Sequence, residues 1–109
     1  MLEPLLGSKG RERVLVFLRA RKEGYAREIA RFFDTDLVQV QKQLDRLEYG
    51  GVIASRAAGR TRLFTFNPRY PFLTELTALL DKALQFYPQD QQDALLMNRR
   101  RPRRRGKPL

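Results

Sequence analysis

The sequence predicts a mainly helical α+β domain, and three observations lead to this class. Apolar residues recur at helical spacing in several segments, two β-branched and aromatic runs lie on either side of a glycine, and Gly or Pro separates the segments. The chain has 109 residues, which is enough for one domain with a modest core that a partner subunit would help to stabilise.

Two helices are predicted in the first third of the chain. The first covers residues 9–21, where apolar residues alternate with charged ones at helical spacing, and Ser8 is a suitable N-cap. Gly24 is expected to break this helix. Tyr25 then gives one or two extended residues before a second helix over residues 26–33, which carries one apolar stripe.

A third helix is predicted from Asp36, as its N-cap, to Tyr49, after a turn that begins at Asp34. Gly50-Gly51 is expected to end it with a left-handed residue. Its core side consists of Leu37, Val40, Leu44 and Leu47, and its opposite side of Val38, Gln39, Lys42 and Arg46, with Gln41, Gln43 and Asp45 on the flanks.

A β-hairpin is predicted over residues 52–66, with a four-residue loop from Ala57 to Arg60 and Gly59 at its tip. Its exposed end carries three bases, Arg56, Arg60 and Arg62. The order of helix, turn, helix and basic hairpin is that of a winged helix-turn-helix, in which one helix enters the DNA major groove and the hairpin, or wing, contacts flanking backbone.

A last long helix is predicted over residues 72–87, after Pro71. Its apolar surface is too broad for a single stripe, so we expect this helix to pack on the body and on a second chain. The predicted homodimer interface consists of Leu73, Leu76, Leu80, Leu84 and Tyr87. Residues 1–87 would then form the winged-helix domain with its terminal helices, and residues 88–109 a short linker helix and a basic disordered tail.

The net charge of +10 is concentrated at the C-terminal end, because residues 1–97 carry 15 bases and 12 acids. Seven bases and no acid follow Met97. Such a tail could wrap a neighbouring groove, bind RNA, add non-specific attraction, or act as a nuclear localisation signal in a nucleated host. The predicted non-specific nucleic-acid residues are Arg99, Arg100, Arg101, Arg103, Arg104, Arg105 and Lys107.

The DNA-binding candidates have structural alternatives. Glutamine suits adenine edges and lysine suits guanine or phosphate, so Val38, Gln39, Gln41, Lys42 and Arg46 are the predicted recognition-helix contacts. These side chains could instead form an ordinary solvated face. Arg56, Arg60 and Arg62 are the predicted wing contacts, although edge-strand charges also block aggregation. Asp45 and Glu48 should point away from phosphate.

The composition excludes several kinds of chemistry. The chain has no Cys and no His, which removes disulfides, thiolate metal sites and the commonest general base. Capping explains Asp34 and Asp36 better than a metal site, so we expect no enzyme, no cofactor and no metal. Phe17, Tyr70, Phe72 and Tyr87 could line a ligand pocket, but core packing is the simpler use of these rings.

The N-terminal segment has charged residues every few positions, so it has the pattern of neither a signal peptide nor a membrane span. We therefore expect a cytoplasmic, nucleoid-associated protein.

Residues from about Leu5 to Tyr87 resemble the ArsR-like winged-helix transcriptional regulators, particularly compact bacterial and archaeal members. The likeness lies in the phrases LLGSKGRERVLVFL, YAREIARFF, VQVQKQLDRLEYGGVI and RLFTFNPRYPFLTEL, in that order. It implies a DNA-binding regulator, commonly a dimer through terminal helices, with the recognition helix at residues 36–49 and the wing at residues 52–66. Metal-sensing members use Cys and His ligands, which this chain lacks.

The hypothesis is therefore that the protein is a dimeric transcriptional regulator that binds double-stranded DNA sequence-specifically. It would act as a repressor by binding an inverted repeat. A partner protein is also possible. The alternative is a winged-helix module that binds protein or RNA, with the arginine-rich tail as a tether.

Overall fold

A computed structural model describes residues 1–97; the predicted basic tail lies outside the described residues. The described part contains six helices and three strands. The strands form one antiparallel sheet in the order β1-β3-β2, which confirms the mainly helical α+β prediction. The elements are α1 (Glu3–Leu6), α2 (Lys9–Arg21), β1 (Glu23–Tyr25), α3 (Ala26–Phe33), α4 (Leu37–Tyr49), β2 (Ile53–Ala58), β3 (Thr61–Phe66), α5 (Leu73–Leu84) and α6 (Gln89–Met97).

Helix α2 lies at the centre of the core. Every residue from Val14 to Leu18 is buried, so α2 packs through much of its circumference. Helices α1, α4, α5 and α6 and the sheet all contact it. Ser8 starts the helix as predicted, since its Oγ accepts a hydrogen bond from the backbone N–H of Arg11 at 3.2 Å.

Helices α3 and α4 form the predicted helix-turn-helix. Asp34 ends α3 in the left-handed region at φ 52°, and the carboxylate of Asp36 accepts from the N–H of Val38 at 3.2 Å to start α4. Gly51, at φ 81°, supplies the left-handed residue that follows α4. The turn and both caps are local, which fixes the direction in which α4 leaves α3.

Gly24 does not break α2 as predicted. Lys22 ends that helix in the left-handed region at φ 74°, and its N–H donates to the carbonyl of Leu18. Gly24 instead lies buried in β1, opposite Phe64 of β3. A Cβ atom at Gly24 would lie 2.8 Å from Cε1 of Phe17, so the glycine is required by the close approach of an aromatic ring.

Gly24→Ala is expected to lower the free energy of unfolding by about 1–3 kcal/mol, because the Phe17 ring is held by its neighbours and must shift. The ring packs edge-on against Phe32 and Phe33, with centroids 5.7 and 6.5 Å away. Urea titration of the native protein and of Gly24→Ala measures the change in the free energy of unfolding. Gly10→Ala is the matched control, since its Cβ would meet neighbours only at 3.5 Å or more, and it should leave stability unchanged or slightly raised. Equal stability of the two variants would contradict the account.

The hairpin has a shorter turn than predicted. Ala57 and Ala58 pair with Arg62 and Thr61, so β2 runs two residues further and only Gly59 and Arg60 remain in the loop. Gly59 has φ 66°, as a two-residue hairpin turn requires. The small side chains of Ala57 and Ala58 do not oppose strand pairing. The two strands therefore remain paired up to Ala58 and Thr61, directly before the turn.

The predicted dimer residues are only partly available on the surface. Helix α5 is shorter than the predicted helix, and Leu80 is completely buried within the protomer, so its side chain cannot contact a second chain. Leu76, Leu84 and Tyr87 are half-buried against the same core, and Leu73 is also half-buried. Two rings near the ends of α5 are more exposed, Phe72 at 62% and Phe86 at 67%.

Helix α6 is docked on α2 by an arginine. The Arg21 guanidinium donates from Nε to the carbonyl of Leu95 at 3.0 Å and from Nη2 to that of Ala94 at 3.1 Å. Leu95 is itself fully buried. Cations stabilise helix C-termini because they satisfy carbonyls that have no intrahelical partner. Arg21 therefore holds the last turn of α6 against α2.

The four rings considered for a ligand pocket take part in separate contacts. Phe17 is buried against Phe32 and Phe33, whereas Tyr70 packs edge-on against Phe72. Tyr87 lies in the α5–α6 connection, where its hydroxyl donates to Glu12 at 2.6 Å. These rings serve separate contacts, as the packing alternative expects.

Candidate nucleic-acid interface

The outer face of α4 carries the five side chains predicted to contact DNA. Val38, Gln39, Gln41, Lys42 and Arg46 are all exposed. Within residues 1–97 none of the five forms an ion pair or a side-chain hydrogen bond. Val38 is 52% exposed in the first turn of the helix, so its methyl groups are accessible on this face. This face therefore has free hydrogen-bonding and cationic groups, together with one apolar group.

Gln43 belongs to the interior and not to a flank of this face. Its side chain is buried, and Oε1 accepts a hydrogen bond from Nε of Arg11 at 3.1 Å. Arg11 also donates to the carbonyl of Leu6 at 2.7 Å, so it connects α4 to α2 and to the end of α1. The predicted position was wrong because a buried glutamine needs a partner, and this partner lies 32 residues away.

The wing is held to α4 by a hydrogen-bonded chain. Ser55 on β2 donates from Oγ to Oε2 of Glu48 at 2.5 Å, and Nε of Arg62 on β3 donates to Ser55 Oγ at 3.0 Å. The Glu48 carboxylate therefore faces the wing, and its orientation relative to phosphate stays a prediction. Arg62 is positioned by this chain, while Arg56 and Arg60 are exposed and have no ionic partner among residues 1–97.

A cleft separates α4 from the wing, and we call it the wing cleft. It has a volume of about 320 Å³. Gln41 and Asp45 line one wall and Arg60 and Arg62 the other. The orientation of Asp45 relative to phosphate stays a prediction. Its remaining lining residues are Ala26, Leu44, Thr61 and Phe64. The cleft places an acceptor, an amide and two guanidinium groups within one concave surface.

A second and larger groove lies on the other side of the wing tip, and we call it the arginine groove. Its volume is about 770 Å³. Four arginines line it against one acid, Glu28, which already accepts hydrogen bonds from Nη1 of Arg21 and the N–H of Tyr25. The lining residues are Arg21, Tyr25, Arg27, Glu28, Arg31, Phe32, Arg60 and Thr61.

Arg27 and Arg31 were not among the candidates chosen from the sequence. They lie four residues apart on α3 and are exposed, whereas Ile29 and Ala30 of the same helix are buried. The helical spacing of two arginines beside a predicted apolar stripe was a usable signal. What the sequence could not show is that the tip of the wing, at Arg60, lies close enough to share a groove with them.

Other kinds of site have little support among the described residues. Within residues 1–97, no three carboxylates, histidines or cysteines come together as a group that could hold a metal. None of the helices in that range has the length and apolar content needed to cross a bilayer.

Comparison with known proteins identifies the fold. No family model matches the sequence, and no curated protein matches it. Among solved structures, reduced HlyU from Vibrio cholerae superposes with a TM-score of 0.63 at 19% identity, covering 81% of this chain and 86% of that one. The reduced form of MarR from E. coli gives 0.59 at 23% identity, covering 90% and 70%.

A third similar structure belongs to a protein whose DNA binding is regulated. BpsR from Bordetella bronchiseptica, whose DNA binding is regulated by 6-hydroxynicotinic acid, has a TM-score of 0.53 at 15% identity and covers 83% of this chain and 70% of that one. At such identities the likeness shows the fold. The chain therefore has a winged-helix fold, as its sequence predicts.

Proposed function

We propose that this protein is a sequence-specific double-stranded DNA-binding transcriptional regulator that acts as a dimeric repressor. The observation that carries the proposal is the outer face of α4, where five exposed side chains have no partner within residues 1–97 and lie beside an arginine-bearing wing. In a winged helix this helix enters the major groove and the wing contacts flanking backbone.

The side chains of α4 define the kind of half-site that would be bound. Gln39 and Gln41 can each form two hydrogen bonds to the major-groove edge of adenine, and the exposed methyl groups of Val38 suit the thymine methyl. Lys42 and Arg46 suit guanine or phosphate. Asp45 in the wing cleft can accept from the amino group of cytosine. We therefore infer a half-site dominated by A·T pairs, with a G·C pair towards the wing.

The comparisons support the same proposal. BpsR is described in terms of its DNA binding, and the chain also resembles the structure of the adhesin competence repressor AdcR from Streptococcus pyogenes. The ArsR-like subtype stays part of the proposal on the strength of the sequence resemblance. No cofactor or catalytic step is invoked, because binding of DNA requires neither.

The dimer would bring two copies of α4 into successive major grooves about 34 Å apart, on an inverted repeat. The apolar side chains available for this contact are the partly exposed members of the predicted set, Leu73, Leu76, Leu84 and Tyr87, together with the exposed rings Phe72 and Phe86. Residues 98–109, with seven bases, would add salt-sensitive affinity.

Selection of bound duplexes from a random pool at about 150 mM salt tests the proposal, with the full chain compared with a chain that ends at Met97. Enrichment of one inverted repeat by both proteins is the expected result, because α4 and the wing are retained. The truncated chain should show a shallower dependence of affinity on salt. Loss of all binding on truncation, with no enriched sequence, would instead indicate the interaction module with an arginine-rich tether.

A further inference from the structure

We infer that the arginine groove is a second phosphate-binding surface, which holds DNA backbone outside the half-site read by α4. The inference rests on the proposed function, because it names where DNA continues beyond that half-site. It adds two residues of α3, Arg27 and Arg31, to the interface.

The groove and the wing cleft share a wall at the tip of the wing. Arg60 and Thr61 line both cavities, so a DNA backbone that leaves the wing cleft over the tip meets the arginine groove next. Antiparallel pairing of Tyr25 on β1 with Leu63 on β3 fixes this arrangement, since it holds the start of α3 beside the start of β3.

The charge of the groove suits a polyanion. Its four arginines face one acid, and that acid is already bonded to Arg21 at 3.5 Å and to the Tyr25 N–H at 3.2 Å. Arg27, Arg31 and Arg60 are exposed and have no ion-pair partner within residues 1–97. Three guanidinium groups, two on α3 and one in the turn of the wing, therefore remain to bind phosphate oxygens, for which their planar geometry is well suited.

The test uses the full chain and the double variant Arg27→Gln/Arg31→Gln, with affinity measured against salt concentration. Two lost phosphate contacts should reduce the slope of log K against log salt by about 1.8, since each contributes about 0.9. The preference for the selected duplex over random duplex should not change. Shortening the duplex to the half-sites alone should abolish the difference between the native and variant proteins.

The matched control is Arg69→Gln/Lys82→Gln, which removes the same charge from exposed positions that line neither groove. Its slope should stay close to the native value. An unchanged slope for Arg27→Gln/Arg31→Gln, or an equal fall in the control, would overturn the inference while leaving sequence selectivity intact. If the native chain did not prefer the selected duplex over random duplex, the proposed regulator would be refuted. The salt slopes of the native and variant proteins on random duplex would still test whether the arginine groove binds phosphate.

Discussion

Glu12→Ala is expected to lower the free energy of unfolding by about 2–4 kcal/mol, the cost of leaving buried donors without an acceptor. Glu12 is 4% exposed. Its carboxylate accepts from the N–H of Leu2 at 2.8 Å and from the hydroxyl of Tyr87 at 2.6 Å, and the amino group of Met1 lies 3.5 Å away. One side chain of α2 therefore joins the N-terminal segment to the connection between α5 and α6. Denaturant titration measures the loss.

Glu3→Ala is the matched control, because Glu3 is an exposed acid in the same N-terminal region and accepts no side-chain hydrogen bond among residues 1–97. It should change stability by less than about 0.5 kcal/mol. Glu12→Gln keeps an acceptor for Tyr87 and should lose less than Glu12→Ala. Equal stability of the Glu3 and Glu12 alanine variants would show that the buried carboxylate does not join these segments.

The same cluster makes stability depend on pH at both ends of the range. Burial raises the pKa of Glu12, but the hydrogen bonds from Tyr87 and Leu2 and the nearby amino group outweigh it, so the pKa lies below its ordinary value of 4.5. Because the folded pKa is lowered, this stabilisation is present above pH 4.5 and is lost as the pH falls through the folded pKa.

Tyr87 acts in the opposite direction. Burial, followed by its bond to the Glu12 carboxylate, raises the pKa of Tyr87 above its ordinary value of 10. Its stabilisation is present below pH 10 and is lost as the pH rises towards the folded pKa. Tyr87→Phe should flatten the alkaline limb of the stability profile, and Glu12→Gln should flatten the acid limb.

Gln39→Ala and Lys42→Ala should each weaken binding to the selected duplex by about 1–3 kcal/mol, or about 5- to 150-fold in Kd. Both side chains are exposed on α4, so their removal leaves the core intact and deletes only groups that are proposed to contact the major groove. Binding to random duplex should hardly change for Gln39→Ala, because an uncharged glutamine contributes little to phosphate attraction. Titration of both duplexes with each variant measures the two effects.

Gln85→Ala and Lys82→Ala are the matched controls, since they remove the same side chains from exposed positions at the end of α5. Their affinity for the selected duplex should stay within about twofold of the native value, as expected for surface changes outside the contact. An equal loss in the test and control pairs would show that α4 is not the element that reads sequence.

The parts of this structure that could be predicted from the sequence are those fixed by local signals. Ser8 and Asp36 cap their helices, and the residues between Ala26 and Phe33 form a helix with the expected bounds. The same local chemistry placed the candidate DNA contacts on the outer face of α4, because a helix with a clear apolar side determines its opposite side.

The parts that could not be predicted depend on contacts between distant residues. Gly24 looked like a helix breaker, but its role is set by the Phe17 ring that lies against it. Glu12 meets Tyr87 across 75 residues, and Arg21 meets Leu95 across 74. A single sequence gives no register for such pairs. The arginine groove was missed for the same reason, since the pairing of β1 with β3 brings the start of α3 to the wing.

The central claim, that α4 and the wing read DNA sequence, is tested most directly by competition at about 150 mM salt between the selected duplex and a scrambled duplex of the same length and composition. A specific regulator should prefer the selected duplex by about 10³-fold or more. Both duplexes carry the same number of phosphates, so attraction to the basic surfaces cancels in this ratio. A ratio near one would contradict the claim and leave only non-specific attraction between the protein and the DNA backbone.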